Sequence, residues 1–292
     1  MDVGTRFKRF LNNISLTADD REDAKRKYDG VAGKLHGYYY PTTTYNGSTK
    51  LLIGSYGKST AVRPRRDVDV RFLMPSDQFS RYDSHIGNGQ SQLLQDIKEI
   101  LKQRYPATDI RGDGQVVVVP FTSGHTIELL PAWKLTNGKY RIPNTHGGGS
   151  WKTVDHTAEL ANVADSDTRS NGNTRALIKM MKTWQAVCSV PIKSLVIELR
   201  AVNFLKNWEY YDKSATYHDW MVRDYLGELL RHVNGNCPMP GINEKIYYGD
   251  AWKSRAETAY ARAIRACEYE GDDQPYNATD EWRKIFGTAF RI

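Results

Sequence analysis

The sequence predicts an α+β chain of two parts, a mixed α/β half followed by an all-helical half. Three observations carry this. Val68, Val70 and Phe72 alternate with Asp67, Asp69 and Arg71, the period-two pattern of a strand with one apolar face and one working face. Residues 116–119 form an unbroken run of valines, the pattern of a buried strand. After about residue 165, apolar stripes at helical spacing recur to the end of the chain. The 292 residues therefore divide into a domain at 1–165 and a helical domain at 166–292.

Taken in order, Thr17 followed by Asp20 has the spacing of a capping box. Ala24, Tyr28, Val31 and Leu35 then mark a long helix over 17–36, ended by Gly37 and Pro41. Residues 49–53 approach a Gly54-Ser55 turn, which precedes the Asp67-Val68-Asp69 strand. Leu93, Leu94, Ile97, Ile100 and Leu101 mark a second helix that ends before Pro106. A turn at 121–124 links the valine strand to a hairpin partner at 126–130, with Thr126, Glu128 and Leu130 on one face. The Gly-rich stretch 143–149 reads as a surface loop. In the helical half, Leu177, Met180, Met181, Trp184, Val187 and Cys188 form one stripe, and Leu195, Val196, Leu199, Val202 and Leu205 another. Tyr225, Leu229 and Val233 suggest a third helix, Ala256, Tyr260, Ala263 and Cys267 a fourth, and 282–286 a short fifth.

Composition narrows the class. Hydrophobic residues make up 40% of the chain, enough for a core. A net charge of +7 suits nucleotide or nucleic-acid partners, and equally a plain basic surface. Cys188, Cys237 and Cys267 are widely spaced with no CxxC pair, which argues against a disulfide framework or a structural zinc site and fits a reducing cytoplasm. No apolar run reaches transmembrane length, and residues 1–10 are too polar for a signal peptide. A cytoplasmic protein without a membrane partner is expected.

Asp67 and Asp69 fall on one strand face, where two carboxylates repel unless a cation sits between them. A divalent metal answers that need, and Glu128, an acid among apolar residues on a neighbouring strand, is the candidate third ligand. The Gly54-Ser55 turn offers backbone N–H groups and a hydroxyl to phosphates. Arg175, Lys179 and Lys182 fall at i, i+4 and i+7 of one helix, opposite its apolar stripe, as counter-charge for a triphosphate. Ser194, at the start of the next helix, offers a hydroxyl and a helix N-terminus, or is a plain cap. Lys58, Arg63, Arg65, Arg66 and Arg71 crowd the acid pair, to hold phosphate or to balance the acids. His125 and His156 read as ordinary polar contacts.

The segment 54–73, Gly-Ser-x-Gly-Lys-x-Thr-x-x-Arg-x-Arg-x-Asp-x-Asp, resembles the active-site signature of 2′-5′ oligoadenylate synthetases and, more loosely, of the bacterial cGAS/DncV-like nucleotidyltransferases (CD-NTases, SMODS-type). Glu128-Leu129-Leu130-Pro131-Ala132 resembles the third-acid strand, and residues 177–184 the helix that binds the donor triphosphate. The resemblance runs from about residue 17 to the end, and the lack of a zinc thumb favours the bacterial branch. It implies a polymerase-β-like palm joined to a helical domain, braced by the long N-terminal helix. It implies Mg²⁺ as two ions at Asp67, Asp69 and Glu128, with Mn²⁺ as an alternative, and NTP substrates held by Gly54, Ser55, Lys58, Lys179, Lys182 and Ser194. The implied product is a cyclic di- or trinucleotide second messenger, released with pyrophosphate and read by a separate effector in anti-phage (CBASS) signalling. A regulatory or conjugating partner at the 290–292 tail and a nucleic-acid activator are further expectations. Two positions depart from the family pattern: Glu128 stands where many members have Asp, and Leu195 where many carry a base-stacking aromatic. Tyr38, Tyr39, Tyr40 or Tyr56 is an alternative stacking partner.

Two other readings of the sequence remain open. A related palm can transfer NMP to RNA or to a protein side chain, and a silent relative can bind nucleotide as a sensor. The intact acid set weighs against the sensor, and the cyclase-like C-terminal half against the transfer enzyme.

Overall fold

The computed structural model describes residues 1–64, 67–122 and 124–291. Arg65 and Arg66 beside the acid pair, Ser123 of the expected turn and Ile292 of the tail lie outside the described residues. The chain forms two compact units. One comprises Met1–Ser15, Thr60–Pro64 and Ala161–Ile292, and the other Leu16–Ser59 and Arg65–Leu160.

The first fifteen residues, grouped by sequence with the sheet half, belong to the helical unit. They form helix α1 (Val3–Ile14), capped by the Asp2 carboxylate on the Thr5 N–H. Phe7, Phe10 and Ile14 fall on one face of this helix. Phe7 and Phe10 pack edge-on or tilted against Trp282, Phe286 and Phe290 of the same unit.

The sheet unit opens with α2 (Ala18–Tyr39), where Thr17 and Asp20 form the expected capping box. It continues through β1 (Lys50–Leu52), the one-turn helix α3 (Gly54–Gly57), β2 (Asp67–Leu73), α4 (Phe79–Asp83), α5 (Gly89–Lys102), β3 (Arg111–Asp113), β4 (Val116–Pro120) and β5 (Thr126–Lys134). Two further strands, β6 (Tyr140–Asn144) and β7 (Ser150–Val154), follow. They take only Pro143 and Asn144 from the expected 143–149 loop, whose remaining residues connect the two strands. Pro143 and Asn144 pair with Trp151 and Ser150, and the glycines make the tight connection between the two strands.

The sheet runs β1-β2-β5-β4-β3, with β6 beside β5 and β7 beside β6. β2 and β5 are parallel, and the other pairs are antiparallel. A parallel pair needs a long crossover, which α4, α5, β3 and β4 supply. One sheet face is dry: Val68, Val70, Phe72, Val117, Val119, Ile127 and Leu129 bury against Ala24, Val31 and Leu35 of α2 and Leu93 and Ile97 of α5. The other face carries the acids at one end and a small cluster of Ile53, Leu130, Ala132, Tyr140 and Ile142 at the other. The alternation of β2 thus sets which residues reach each face.

The remaining helices are α6 (His156–Arg169), α7 (Asn173–Val187), α8 (Ser194–Asn207), α9 (His218–Leu230), α10 (Lys253–Gly271) and α11 (Pro275–Phe286), with a small hairpin of β8 (Asn236–Pro238) and β9 (Lys245–Tyr247). The core of the helical unit is centred on the fully buried Trp184, Trp252 and Trp282, with Leu177, Met181, Val222 and Leu226 around them. Among the described residues no helix is long and apolar enough to cross a membrane.

Candidate active site

The parallel pairing of β2 with β5 brings the acids together. Asp69 lies directly opposite Glu128, and Asp67 opposite Thr126. Paired positions of neighbouring strands share a face, so Asp67, Asp69 and Glu128 present their carboxyls to one side. Asp67, at the first position of β2, is exposed, whereas Asp69 and Glu128 are half-buried. Burial pushes the Glu128 carboxyl above its ordinary value, and the charges of Asp67 and Asp113 push it further. A side-chain hydrogen bond with Asp69 and the charge of Arg111 oppose that rise.

Arg111 and Asp113 had no place in the sequence reading. They lie on β3, opposite Val118 and Val116 of β4, and Val118 in turn lies opposite Glu128. Both therefore belong to the acid face. A three-residue strand within Arg-Gly-Asp-Gly carries no hydrophobic alternation, which hides it in the sequence.

The Gly54-Ser55 turn closes the same end of the sheet. The Ile53 N–H donates to the Asp69 carbonyl at 3.0 Å, which fixes α3 beside β2. Gly54 has φ +54°, and a Cβ there would collide with the Asp69 carboxylate. Only glycine lets the backbone pass so close to that acid.

The donor set is hard oxygen throughout, the chemistry that Mg²⁺ and Mn²⁺ prefer. Among the described residues no three carboxylate, histidine or cysteine side chains stand close enough to hold a metal ion by themselves. Mg²⁺ characteristically uses one or two carboxylates and completes its shell with water and substrate phosphate. Adjacent Asp69 and Glu128, with Asp67 at the rim, fit that mode of binding, not a closed protein cage.

The cations named from sequence are less exposed than their spacing implied. Lys58 is buried, with its ammonium 3.6 Å from the Glu159 carboxylate. Arg71 is also buried, and its guanidinium stacks 3.7 Å from the centre of the Tyr140 ring. His156 lies nearby, and burial, with the charges of Arg71 and Lys58, lowers its pKa to about 4. The ring is thus neutral at pH 7. Arg63 donates to the Asn13 carbonyl within the helical unit.

The remaining residues named from sequence lie in the helical unit, on α7 and α8. Arg175 pairs with Asp167 at 2.7 Å, and Lys179 donates to the Ser15 hydroxyl at 3.3 Å. Lys182 was expected on an open face, but it is buried and bridges Glu198 at 2.5 Å and the Thr60 hydroxyl at 3.1 Å. A buried ammonium requires such a partner, and Glu198 provides it from α8. Ser194 is the first residue of α8 and follows the cap residue Lys193; its hydroxyl donates to Gln185 at 2.8 Å. Leu195 is half-buried against the helical core. Of the tyrosines offered as stacking partners, Tyr38 is exposed, Tyr40 donates to the Leu73 carbonyl, and Tyr56 packs on the dry side of the sheet.

A mixed sheet with two facing acid-bearing strands, a glycine turn at their edge and a separate helical unit defines a polymerase-β-like nucleotidyltransferase. The sequence profile of the Second Messenger Oligonucleotide or Dinucleotide Synthetase (SMODS) domain matches residues 1–166, more than half of the chain. The chain belongs to this family and is a cGAS/DncV-like nucleotidyltransferase. It is 20% identical to a probable cyclic nucleotide synthase of Bacillus cereus (strain VD146), over 96% of this chain and 94% of that one. Its fold matches Vibrio cholerae DncV cyclic AMP-GMP synthase, solved with the linear intermediate 5′ pppA(3′,5′)pG, with a TM-score of 0.79 and 12% identity over 100% of this chain and 97% of that one. It also matches Escherichia coli MS115-1 CdnC, solved with ATP, with a TM-score of 0.71 and 16% identity over 100% of this chain and 99% of that one. CdnC in its HORMA-deltaN complex matches at 0.69 and 15% identity, over 99% of this chain and 98% of that one.

Proposed function

We propose that this enzyme joins NTPs into a cyclic di- or trinucleotide and releases pyrophosphate at each step. The observation that carries the reading is the register of β2 and β5, which sets Asp69 opposite Glu128 with Gly54 closed against the Asp69 carboxylate. Asp67, Asp69 and Glu128 are the residues that would hold two Mg²⁺ or Mn²⁺ ions. When bound, such ions neutralise phosphate charge and lower the pKa of an attacking hydroxyl. Gly54 and Ser55 receive phosphate at the mouth of the turn. Lys179, Lys182 and Ser194 are assigned to the donor triphosphate on the strength of the family resemblance. Lys58, whose charge is balanced by Glu159, is assigned to nucleotide binding on the same resemblance.

In each transfer a ribose hydroxyl oxygen of one nucleotide bonds to the α-phosphorus of another. The bond from that phosphorus to the pyrophosphate oxygen breaks, and the hydroxyl proton passes to solvent. A final transfer within the linear product closes the ring. The setting that suits such a product is anti-phage signalling in the bacterial cytoplasm, with a separate effector as reader and a protein or nucleic-acid partner as activator.

Pyrophosphate release is the test. With Mg²⁺ or Mn²⁺ and all four NTPs, the wild-type chain is expected to release pyrophosphate, and the Asp67→Ala, Asp69→Ala double variant none. Tight NTP binding without release, with or without candidate activators, would favour a nucleotide sensor. NMP found by mass spectrometry on protein or RNA would favour the transfer enzyme.

A further inference from the structure

His125 is 1% exposed, yet both of its ring nitrogens are engaged. Nδ1 lies 2.7 Å from the Asp23 carboxylate on α2, and Nε2 lies 3.1 Å from the Tyr56 hydroxyl on α3. Three elements far apart in sequence thus meet at one imidazole. Asp23 is itself anchored by Lys27 at 2.5 Å and Arg26 at 2.9 Å. Hydrogen bonds from Lys27, and then from His125 and Arg26, outweigh burial and hold the Asp23 carboxyl well below the usual range. An ionised carboxylate only accepts, so Nδ1 carries the proton. Nε2 and the Tyr56 hydroxyl share the second hydrogen bond of the ring.

Tyr56 immediately follows Ser55 in a helix of four residues, Gly54–Gly57. A single helical turn has no stability of its own and takes its orientation from its ties. The bond from Ile53 to the Asp69 carbonyl ties its leading end to β2. The His125–Tyr56 bond ties it to the residue that precedes β5 and, through Asp23, to α2.

We propose that Asp23, His125 and Tyr56 form a positioning relay, which holds the Gly54-Ser55 turn in the orientation that receives the NTP phosphates. None of the three is a catalytic residue. They act through the turn, so their removal weakens NTP binding and leaves the chemical step nearly intact. The inference rests on the reading of Gly54-Ser55 as the phosphate turn.

Steady-state kinetics with NTP as the varied substrate tests the relay. Tyr56→Phe keeps the ring and removes only the hydroxyl. It is expected to raise KM by about five-fold, the scale of one lost hydrogen bond, with kcat within about two-fold and the melting temperature lowered by no more than about 2–4 °C. His125→Leu is expected to raise KM at least as much. His125→Gln, which keeps one donor and one acceptor, recovers part of that loss. Combining Tyr56→Phe with His125→Leu should cost little more than the larger single change, because both break the same chain. Ser55→Ala and Asp69→Asn serve as references. If Ser55→Ala raises KM and Tyr56→Phe does not, the relay is overturned while the phosphate turn stands. If neither raises KM while Asp69→Asn abolishes turnover, the phosphate-turn reading fails, and the relay with it.

Discussion

At Glu128 function and stability pull apart. Its carboxyl is half-buried, faces Asp69 across the strand pair and feels the charge of Asp67. Without a cation that crowding costs free energy. Glu128→Gln keeps the shape and removes one negative charge. It should therefore raise the melting temperature of the nucleotide-free protein by about 2–4 °C, the scale of a 1 kcal/mol gain in a chain of this size. Turnover should fall by at least about 100-fold, as expected when a metal or oxyanion contact is removed. Calorimetry and pyrophosphate release read the two effects separately. Much of this site was legible from single residues. The two-residue spacing of Asp67 and Asp69 and the isolated acid in an apolar stretch each imply a shared face and a partner. The surroundings of Lys58 and Lys182 were not legible. Glu159 and Glu198, which neutralise them, lie 101 and 16 residues away, and no local pattern announces such a pairing.

At the scale of elements, periodicity found most of the longer segments, though not α6, inside which the expected break at residue 165 falls, and failed on the short ones. α2, α5 and the dry face of β2 and β5 follow the expected apolar spacings, because each buries one stripe against a single core, whereas α7 and α8 are buried on nearly all sides and Val187 of the expected α7 stripe is exposed. α1 was missed, although Phe7, Phe10 and Ile14 carry a helical stripe and Asp2 a cap. Its polar surface, with Arg6, Lys8 and Arg9 among the apolar positions, masks the pattern. Arg6 is nevertheless buried, paired with Glu270 and bonded to Thr279, so its charge does not mark an exposed face. β3, β6 and β7 were missed for a different reason. Strands of three to five residues are too short to display alternation, and Gly112 in β3 and Pro143 in β6 read as loop. The relay at His125 belongs to this scale as well. Its bonds span α2, α3 and the start of β5, and only tertiary structure closes it.

For the whole molecule, two neighbouring buried groups in the helical unit set opposing acid responses. Burial pushes Asp219 up to about 6, and the charge of Glu270 adds to this against bonds from the backbone and the charge of Arg223. Between about pH 4 and 6 the folded chain then holds this proton more tightly than the unfolded chain, so the contribution of Asp219 to stability declines as pH rises. Burial lowers His218 to about 4, with Lys8 contributing. Its contribution declines as pH falls from about 6.5 towards 4, because the unfolded chain takes up the proton first. Asp219→Asn should therefore stabilise the protein above pH 6, by at most about 3 kcal/mol at roughly 1.4 kcal/mol per pKa unit. The gain should vanish near pH 4, where the wild-type carboxyl is already protonated in the fold. Melting temperatures of the two proteins at pH 4 and pH 8 check the sign. That the chain is a nucleotidyltransferase follows from its fold and family. The proposed step from there to a cyclic product rests on the family resemblance, since the acid face and the phosphate turn would serve any nucleotidyl transfer. The most direct measurement is the accurate mass of the product made from NTPs, before and after phosphatase. The account predicts the sum of two or three nucleoside monophosphate residues with no terminal phosphate, at a mass that phosphatase leaves unchanged. Linear oligomers bearing a 5′-triphosphate as the sole product, or nucleotide found only on protein or RNA, would contradict it.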